Sequence, residues 1–260
     1  MNKYILAFQL SFQDLLEYRL DLTLALIKYA GMVILMSFVW TAAAQSSPNF
    51  ALTQQEIVTY FIFAAGIYSL SNFHTNYIEE DIRLGGLSKY LLKPISALKF
   101  YEMHQLAEAT IVTLLKMAIF IPLVHFFILP LSLSLLEVLI FLLFLPIIFL
   151  FSFYFFSLIS LGAFWIQEVY AIRWSLTVLM RFLAGTFVPL IFFPEWFQRI
   201  SQFLPFQYLV YTPVQLLSHK VEVMMAVQGL MILGAWTAAV FVIRRSVWRS
   251  GSRQYEGTGI

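Results

Sequence analysis

Three cations, Lys28, Lys116 and Arg181, interrupt runs of sequence that are otherwise nearly hydrocarbon, and they are the first side chains placed where they could do chemistry. A charge inside an apolar segment either faces a wet interior or snorkels its head to the membrane surface. Facing a path, the three would attract an anionic cargo or a lipid headgroup; snorkelling, they would only anchor their helices. Their shared depth, roughly a third of the way in from one face, suits both readings. The four histidines, His74, His104, His125 and His219, have no ligand spacing, so no metal site is expected. The nucleotide-cradling G-x-x-x-x-G-K-[ST] is missing, as are H-E-x-x-H, G-x-S-x-G and G-x-G-x-x-G. Cysteine is also missing, which removes disulfides and thiolate metal sites. No catalytic residue emerges, and an intramembrane enzyme would need carboxylates or nucleophiles facing these cations at depth, of which the sequence gives no sign.

The elements that hold these residues must lie in a bilayer. The chain has 260 residues, 61% hydrophobic and 12% charged, whereas soluble domains run at about 45–50% and about 25%. One integral membrane domain over residues 1–260 is expected, all α-helical, because a spanning segment must satisfy its own backbone. Six spans follow from the apolar runs: about Leu22–Ala44, Glu56–Phe73, Ala107–Leu129, Leu135–Trp165, Ile172–Phe193 and Val223–Ile243. The fourth is longer than a bilayer needs, which tilt or protrusion absorbs. Met1–Leu20 is too interrupted by charge for a cleavable signal; Ile5, Phe8, Phe12, Leu15 and Leu16 recur at helical spacing, as in an amphipathic helix on the membrane surface.

Of the sixteen Lys and Arg, a cytoplasmic N-terminus puts eleven inside and only Arg199 and Lys220 outside. That bias places both termini in the cytoplasm. The tail RRSVWRSGSRQYEGTGI, with four arginines after the last span, reads as the membrane border and a contact for anionic lipid rather than for nucleic acid. On the outer side, FFPEWFQRISQFLPFQYLVYTPVQLLSHK is too broken by Pro194, Pro205 and Pro213 to cross and too aromatic to be a solvated loop. Two short helices dipping into the interface are expected there. Pro194, Glu195, Trp196, Pro205 and Tyr208 are candidates for an outer gate, against the plainer reading of an interfacial anchor.

Between the second and third spans lies EEDIRLGGLSKYLLKP, residues 79–94. Gly85 and Gly86 permit a turn, Leu87, Tyr90 and Leu91 recur at helical spacing, and Pro94 ends the run. Lys89 and Lys93 share another face. A short cytoplasmic helix results, either a simple connector or an apolar face docked in a partner's groove.

The motifs carry a resemblance beyond this. DIRLGGLSKYLLKPIS is similar to the inner loop of permease subunits of bacterial ABC-2 type exporters, in a branch where D-I-R-x-G-x-L-x-K-Y-L-L-K/R-P follows the second span. Asp81, Ile82, Arg83, Gly85, Leu87, Lys89, Tyr90, Leu91, Leu92, Lys93 and Pro94 match it, while Gly86 stands where the family more often has an acidic or polar residue. The outer P-E-W and L-P-F-Q-Y elements and the ending WRSGSRQYEGTGI also resemble that branch, so the likeness covers nearly the whole chain. It implies a six-helix, multi-pass subunit of the bacterial plasma (inner) membrane, a second permease subunit, identical or different with a lean toward different, and separate cytoplasmic ABC ATPase subunits. ATP and Mg would sit on those partners and no cofactor on this chain. The loop would be the coupling helix, with Asp81, Ile82, Arg83, Leu87, Lys89, Tyr90, Leu91, Lys93 and Pro94 as its coupling residues, and export as its purpose; the family does not fix the substrate, and the aromatic-rich, charge-poor path favours an amphipathic cargo. A stand-alone secondary transporter or channel-like protein is the alternative, weakened by the lack of an internal repeat.

Overall fold

The computed structural model describes residues 19–46, 50–71, 76–123 and 134–255, with Leu6, Phe8, Gln9, Leu10 and Gln13 described singly before them. Those five residues are helical; the rest of the expected N-terminal amphipathic helix lies outside the described residues, as do His74 and His125. Ten α-helices and three 3-10 turns make up the described fold, and none of the described residues is in a strand. In order they are α1 (Arg19–Gln45), α2 (Gln54–Tyr68), α3 (Asn76–Arg83), α4 (Ser88–Leu91), α5 (Ala97–Leu123), α6 (Leu135–Ser160), α7 (Tyr170–Leu183), α8 (Glu195–Ser201), α9 (Tyr211–Leu217) and α10 (Val223–Arg253).

Three described helical stretches are long and apolar enough to cross a membrane: Thr23–Gln45, Leu135–Phe164 and Val223–Arg253. These agree with the first, fourth and sixth expected spans, and the long fourth run continues past α6 through a 3-10 turn at Leu161–Phe164. The other three differ from the reading of the sequence. α2 has 15 residues and stops at Tyr68 rather than Phe73. Its rise of about 22 Å is short of the roughly 30 Å hydrocarbon core. α5 starts ten residues before the expected Ala107 because Ala97, Leu98 and Tyr101 are buried against the inner loop; the last part of that expected span, residues 124–129, lies outside the described residues. The fifth span, expected unbroken from Ile172 to Phe193, is α7, 14 residues long, followed by a tight reversal.

That reversal is built by hydrogen bonds. Gly185 sits at φ 82°, a left-handed conformation that a side chain makes costly. Its carbonyl accepts from Tyr60 Oη at 2.6 Å. Trp40 Nε1 donates to the Phe187 carbonyl at 3.0 Å, and the Tyr211 amide to the Ala184 carbonyl at 3.1 Å. Irregular backbone at membrane depth survives only where protein satisfies it. Here α1, α2 and the start of α9 do so.

The core forms around α6 and α10, the most extensively packed pair. α10 turns Ala226, Gly229, Leu233, Thr237, Val240, Arg244 and Gly251 inward at steps of three, four and seven. α6 answers with Phe144, Phe151, Phe153 and Phe156, all fully buried, and with Ser152, Ser157 and Ser160. Where lipid is as apolar as leucine, such close packing and interhelical polar contacts replace the hydrophobic effect as the force between helices. α1 lies against α2 and the inner loop sits below α6.

A Cβ at Gly185 would meet Tyr60 Oη at 2.8 Å and Leu190 Cδ1 at 2.9 Å. Gly185→Ala is therefore expected to destabilise the protein by about 1–3 kcal/mol, from a left-handed alanine and a displaced Tyr60. Thermal unfolding in detergent measures this, and an unchanged midpoint would show that the reversal tolerates a side chain.

Candidate functional site

Asp81 organises the inner loop. One carboxylate oxygen accepts from Lys89 Nζ at 2.8 Å, the other accepts from Tyr101 Oη at 2.7 Å, and the Asp81 carbonyl accepts from the Leu87 amide at 2.8 Å. These contacts need the chain to double back. Gly85 makes the turn at φ 79°, and a Cβ on Gly86 would run into the Asp81 side chain. The departure from the family pattern at Gly86 thus has a local cause: the carboxylate occupies the space a side chain would need. Burial draws the Lys89 ammonium down, but its bond to Asp81 and the neighbouring Tyr90 and Asp81 outweigh that and hold it above its ordinary pKa. Tyr90 packs on Phe100 and Tyr101, each with ring centroids 5.1 Å away.

Two of the expected coupling residues do not face outward: Leu87 is fully buried in the core, and Ile82 is nearly so. The helix expected up to Pro94 is only the four residues of α4; Leu87 stands one turn before Leu91, its carbonyl accepting from the Leu91 amide at 3.2 Å, so the burial of Leu87 comes from the elements packed over it and not from a change of helix face. The apolar side chains left facing outward are Leu84 at 75% exposure, Leu91 at 48% and Leu92 at 87%. Lys93 and Pro94 are exposed beside them and Arg83 is half-buried.

An ion pair and a buried arginine that the sequence reading did not anticipate tie helices together. Glu79 of α3 and Arg173 of α7 are both buried, with Oε2 and Nε 3.8 Å apart. Neither of those two atoms has a hydrogen bond among the described residues. Burial pushes the Glu79 carboxyl above the usual carboxylate range, although Arg173 and Arg83 pull the other way. On α10, Arg244 is buried at 3% exposure and does not reach a headgroup, contrary to the border role read for the four tail arginines. Its Nη1 donates to Ser157 Oγ at 3.3 Å, its guanidinium carbon lies 4.2 Å from the Tyr154 ring centroid, and Tyr154 Oη donates to Glu102 at 3.3 Å. Arg245, Arg249 and Arg253 are exposed. The four-residue spacing of charges cannot tell a buried Arg244 from its exposed neighbours; the missing signal is Tyr154, Ser157 and Glu102, far off in sequence.

The cations within the apolar runs do not converge on one point. Lys28 is exposed. Lys116 lies over the Tyr29 ring, 5.2 Å from its centroid. Arg181 donates from Nε to Tyr68 Oη at 3.0 Å and stacks on Tyr68 and Phe187. Neither Lys116 nor Arg181 pairs with a carboxylate among the described residues.

The outer candidates split in two. Pro194, Glu195 and Trp196 are exposed, with Glu195 paired to Arg199 at 3.2 Å across one turn of α8. Pro205 and Tyr208 are buried, Tyr208 Oη donating to the Gln202 carbonyl at 2.6 Å. No metal-binding group of three or more His, Cys, Asp or Glu occurs among the described residues.

Several helices long and apolar enough to cross a membrane mark a multi-pass membrane protein. Residues 30–259 match the family described as ABC-2 family transporter protein, so the chain belongs to that family of membrane permeases. No curated protein and no solved structure matches the chain.

A guanidinium stays charged at any accessible pH, whereas a buried carboxyl can take a proton. Glu79→Gln is thus expected to cost about 3–5 kcal/mol by stranding Arg173, and Arg173→Met less, because Glu79 can neutralise itself. Since burial raises the Glu79 carboxyl, protonation is favoured as pH falls, and the Arg173→Met deficit should shrink between pH 8 and pH 5.5. Thermal unfolding at the two pH values measures both; the reverse ranking would contradict this account of the pair.

Proposed function

We propose that this chain is the membrane-spanning subunit of an ATP-driven exporter, worked by separate ATPase subunits docked on the loop between α2 and α5. The observation that carries the reading is the exposed apolar trio Leu84, Leu91 and Leu92 on a loop locked by Asp81, in a chain of the ABC-2 transporter family. A locked loop transmits a push, and an apolar patch on otherwise charged ground suits a groove on a soluble partner. The docking set is Leu84, Leu91 and Leu92, flanked by Arg83, Lys93 and Pro94. Asp81, Ile82, Leu87, Lys89 and Tyr90 hold the loop's shape from behind.

In this reading α1, α2, α5, α6, α7 and α10 are six spans and both termini face the cytoplasm of a bacterial cell. α2 and α7 fall short of the bilayer thickness, and the turns after them make up the depth. ATP and Mg belong to the ATPase, and a second permease subunit completes the path. Lys116 and Arg181 have aromatic rather than acidic partners, which leaves their charge available to an amphipathic cargo with an anionic group. The exposed Lys28 has the place of a headgroup anchor. The α8 stretch with Trp196 would lie at the outer interface.

The test is capture from mild detergent extracts of the native host. Wild type should retain an ATPase chain, and a Leu91→Asp, Leu92→Asp double variant should lose at least nine-tenths of it at equal membrane level, since a charge in a buried apolar contact costs several kcal/mol. Both side chains are exposed in the isolated subunit, so its fold should survive the change. Retention of the ATPase by the double variant, or a wild-type chain that purifies alone and active, would remove the reading.

A further inference from the structure

The turn Ser218–Lys220 between α9 and α10 has a backbone in which glycine would ordinarily be found. The Lys220 amide donates to the Gln215 carbonyl at 2.9 Å and the His219 amide to the Leu216 carbonyl at 3.2 Å. This is the paired bonding of a Schellman helix end, whose left-handed residue is usually glycine. Here that residue is His219, at φ 54° and, among the described residues, the only one other than glycine at positive φ. A strained conformation kept by a bulky residue points to a use for its side chain.

The side chains give the use. His219 Nδ1 lies 2.7 Å from Glu137 Oε1 on α6, and Lys220 Nζ lies 2.5 Å from Glu56 Oε1 on α2. Both glutamates occupy the third position of a capping box. Glu56 Oε2 accepts from the Thr53 amide at 2.7 Å and hydroxyl at 2.9 Å; Glu137 Oε2 accepts from the Ser134 amide at 2.8 Å and hydroxyl at 2.7 Å. In each carboxylate one oxygen closes the first turn of its own helix and the other is held by the turn after α9. Two neighbouring residues thereby grip the starts of two helices that are 81 residues apart in sequence. Beneath the Lys220 grip lies a cavity of about 40 Å³ lined by Glu56, Thr59, Tyr60, Gln215 and Lys220, with Thr59 Oγ1 buried and unpartnered at its wall.

We infer that His219 and Lys220 form a two-pronged clip that holds α2 and α6 closed at this end of the bundle, the Lys220 prong holding α2 and the His219 prong α6. Glu56 and Glu137 are its two anchors, and the cavity at Thr59 is the first space that release would open. The purpose assigned to the clip rests on the transport reading, but its existence does not. It is tested on the subunit alone, with neither ATPase nor cargo present, while the transport reading is tested by ATPase capture with the clip intact.

Hydrogen–deuterium exchange of the full chain in phosphatidylcholine–phosphatidylglycerol nanodiscs separates the prongs. His219→Gly supplies the residue the turn's backbone prefers and removes only the imidazole; it should speed exchange in residues 134–141 about tenfold and leave 53–60 unchanged. Lys220→Met keeps the stem and removes the charge, and should do the reverse. Because the chain has no cysteine, Thr59→Cys provides a single thiol at the cavity, and its maleimide labelling should quicken several-fold when Lys220→Met is added. Equal acceleration of both segments by either variant, no acceleration, or labelling indifferent to Lys220 would overturn the clip.

Discussion

The half of the bundle that carries the Asp81 loop is arranged around a charge buried from solvent, Arg244. Arg244 is carried inward by the same face of α10 that holds Ala226, Leu233, Thr237 and Val240 against α6, so the charge cannot leave without separating the central helix pair. Tyr154, Ser157 and, through Tyr154, Glu102 meet it. These ligands come from α6 and α5, and the contact therefore fixes three helices at once. Below it, α10 continues to the 3-10 turn Leu161–Phe164, where Trp248 and Tyr255 meet the Phe164 ring edge-on. α3 packs on that turn, and α3 ends in the Asp81 loop. A displacement of the loop thus has a packed route to the central pair, and a second, electrostatic one to α7 through Glu79 and Arg173. In low dielectric such pairs stabilise little relative to apolar replacements, but they strongly disfavour states in which one partner is lost. That asymmetry suits a part that must move as a unit.

The two ends of the molecule solve different problems. At the loop end, buried charge ties short elements to long helices, and the exposed surface is apolar. At the other end, short helices and turns follow α7, and backbone carbonyls at Gly185, Phe187 and Ala184 find donors on Tyr60, Trp40 and the Tyr211 amide. A helix end that is buried must have its last carbonyls satisfied by protein. The carbonyls just past α7 obtain this from α1, α2 and the start of α9.

What can be read from the sequence follows from range. The all-helical class and the three longest spans are written in continuous apolar runs, a local property, and the Asp81 loop is bounded by local turn residues. The break at Gly185 is legible only in part: Gly185 and Pro189 punctuate Ile172–Phe193, but the Tyr60 hydroxyl that holds the glycine's carbonyl lies 125 residues away. Leu87 shares a helical turn with Leu91, but a local period cannot show that other elements cover it. Both capping boxes, Thr53 with Glu56 and Ser134 with Glu137, are readable as T-x-x-E and S-x-x-E, and would have fixed the starts of α2 and α6. Their second partners, His219 and Lys220, would not.

Most side chains capable of chemistry here are used to hold helices together, and that bears on function. Arg173, Arg244, Glu79, Glu56 and Glu137 each have a structural counterpart, and none converges with a nucleophile. Of the cations in the apolar runs, Lys116 and Arg181 have no ion pair among the described residues, and each rests on a tyrosine ring. A cation on an aromatic face keeps its unbound side available, since the ring satisfies charge without saturating the hydrogen-bond donors. The fixed charges among the described residues are thus largely spent on internal braces, while these two cations are cushioned on rings rather than neutralised.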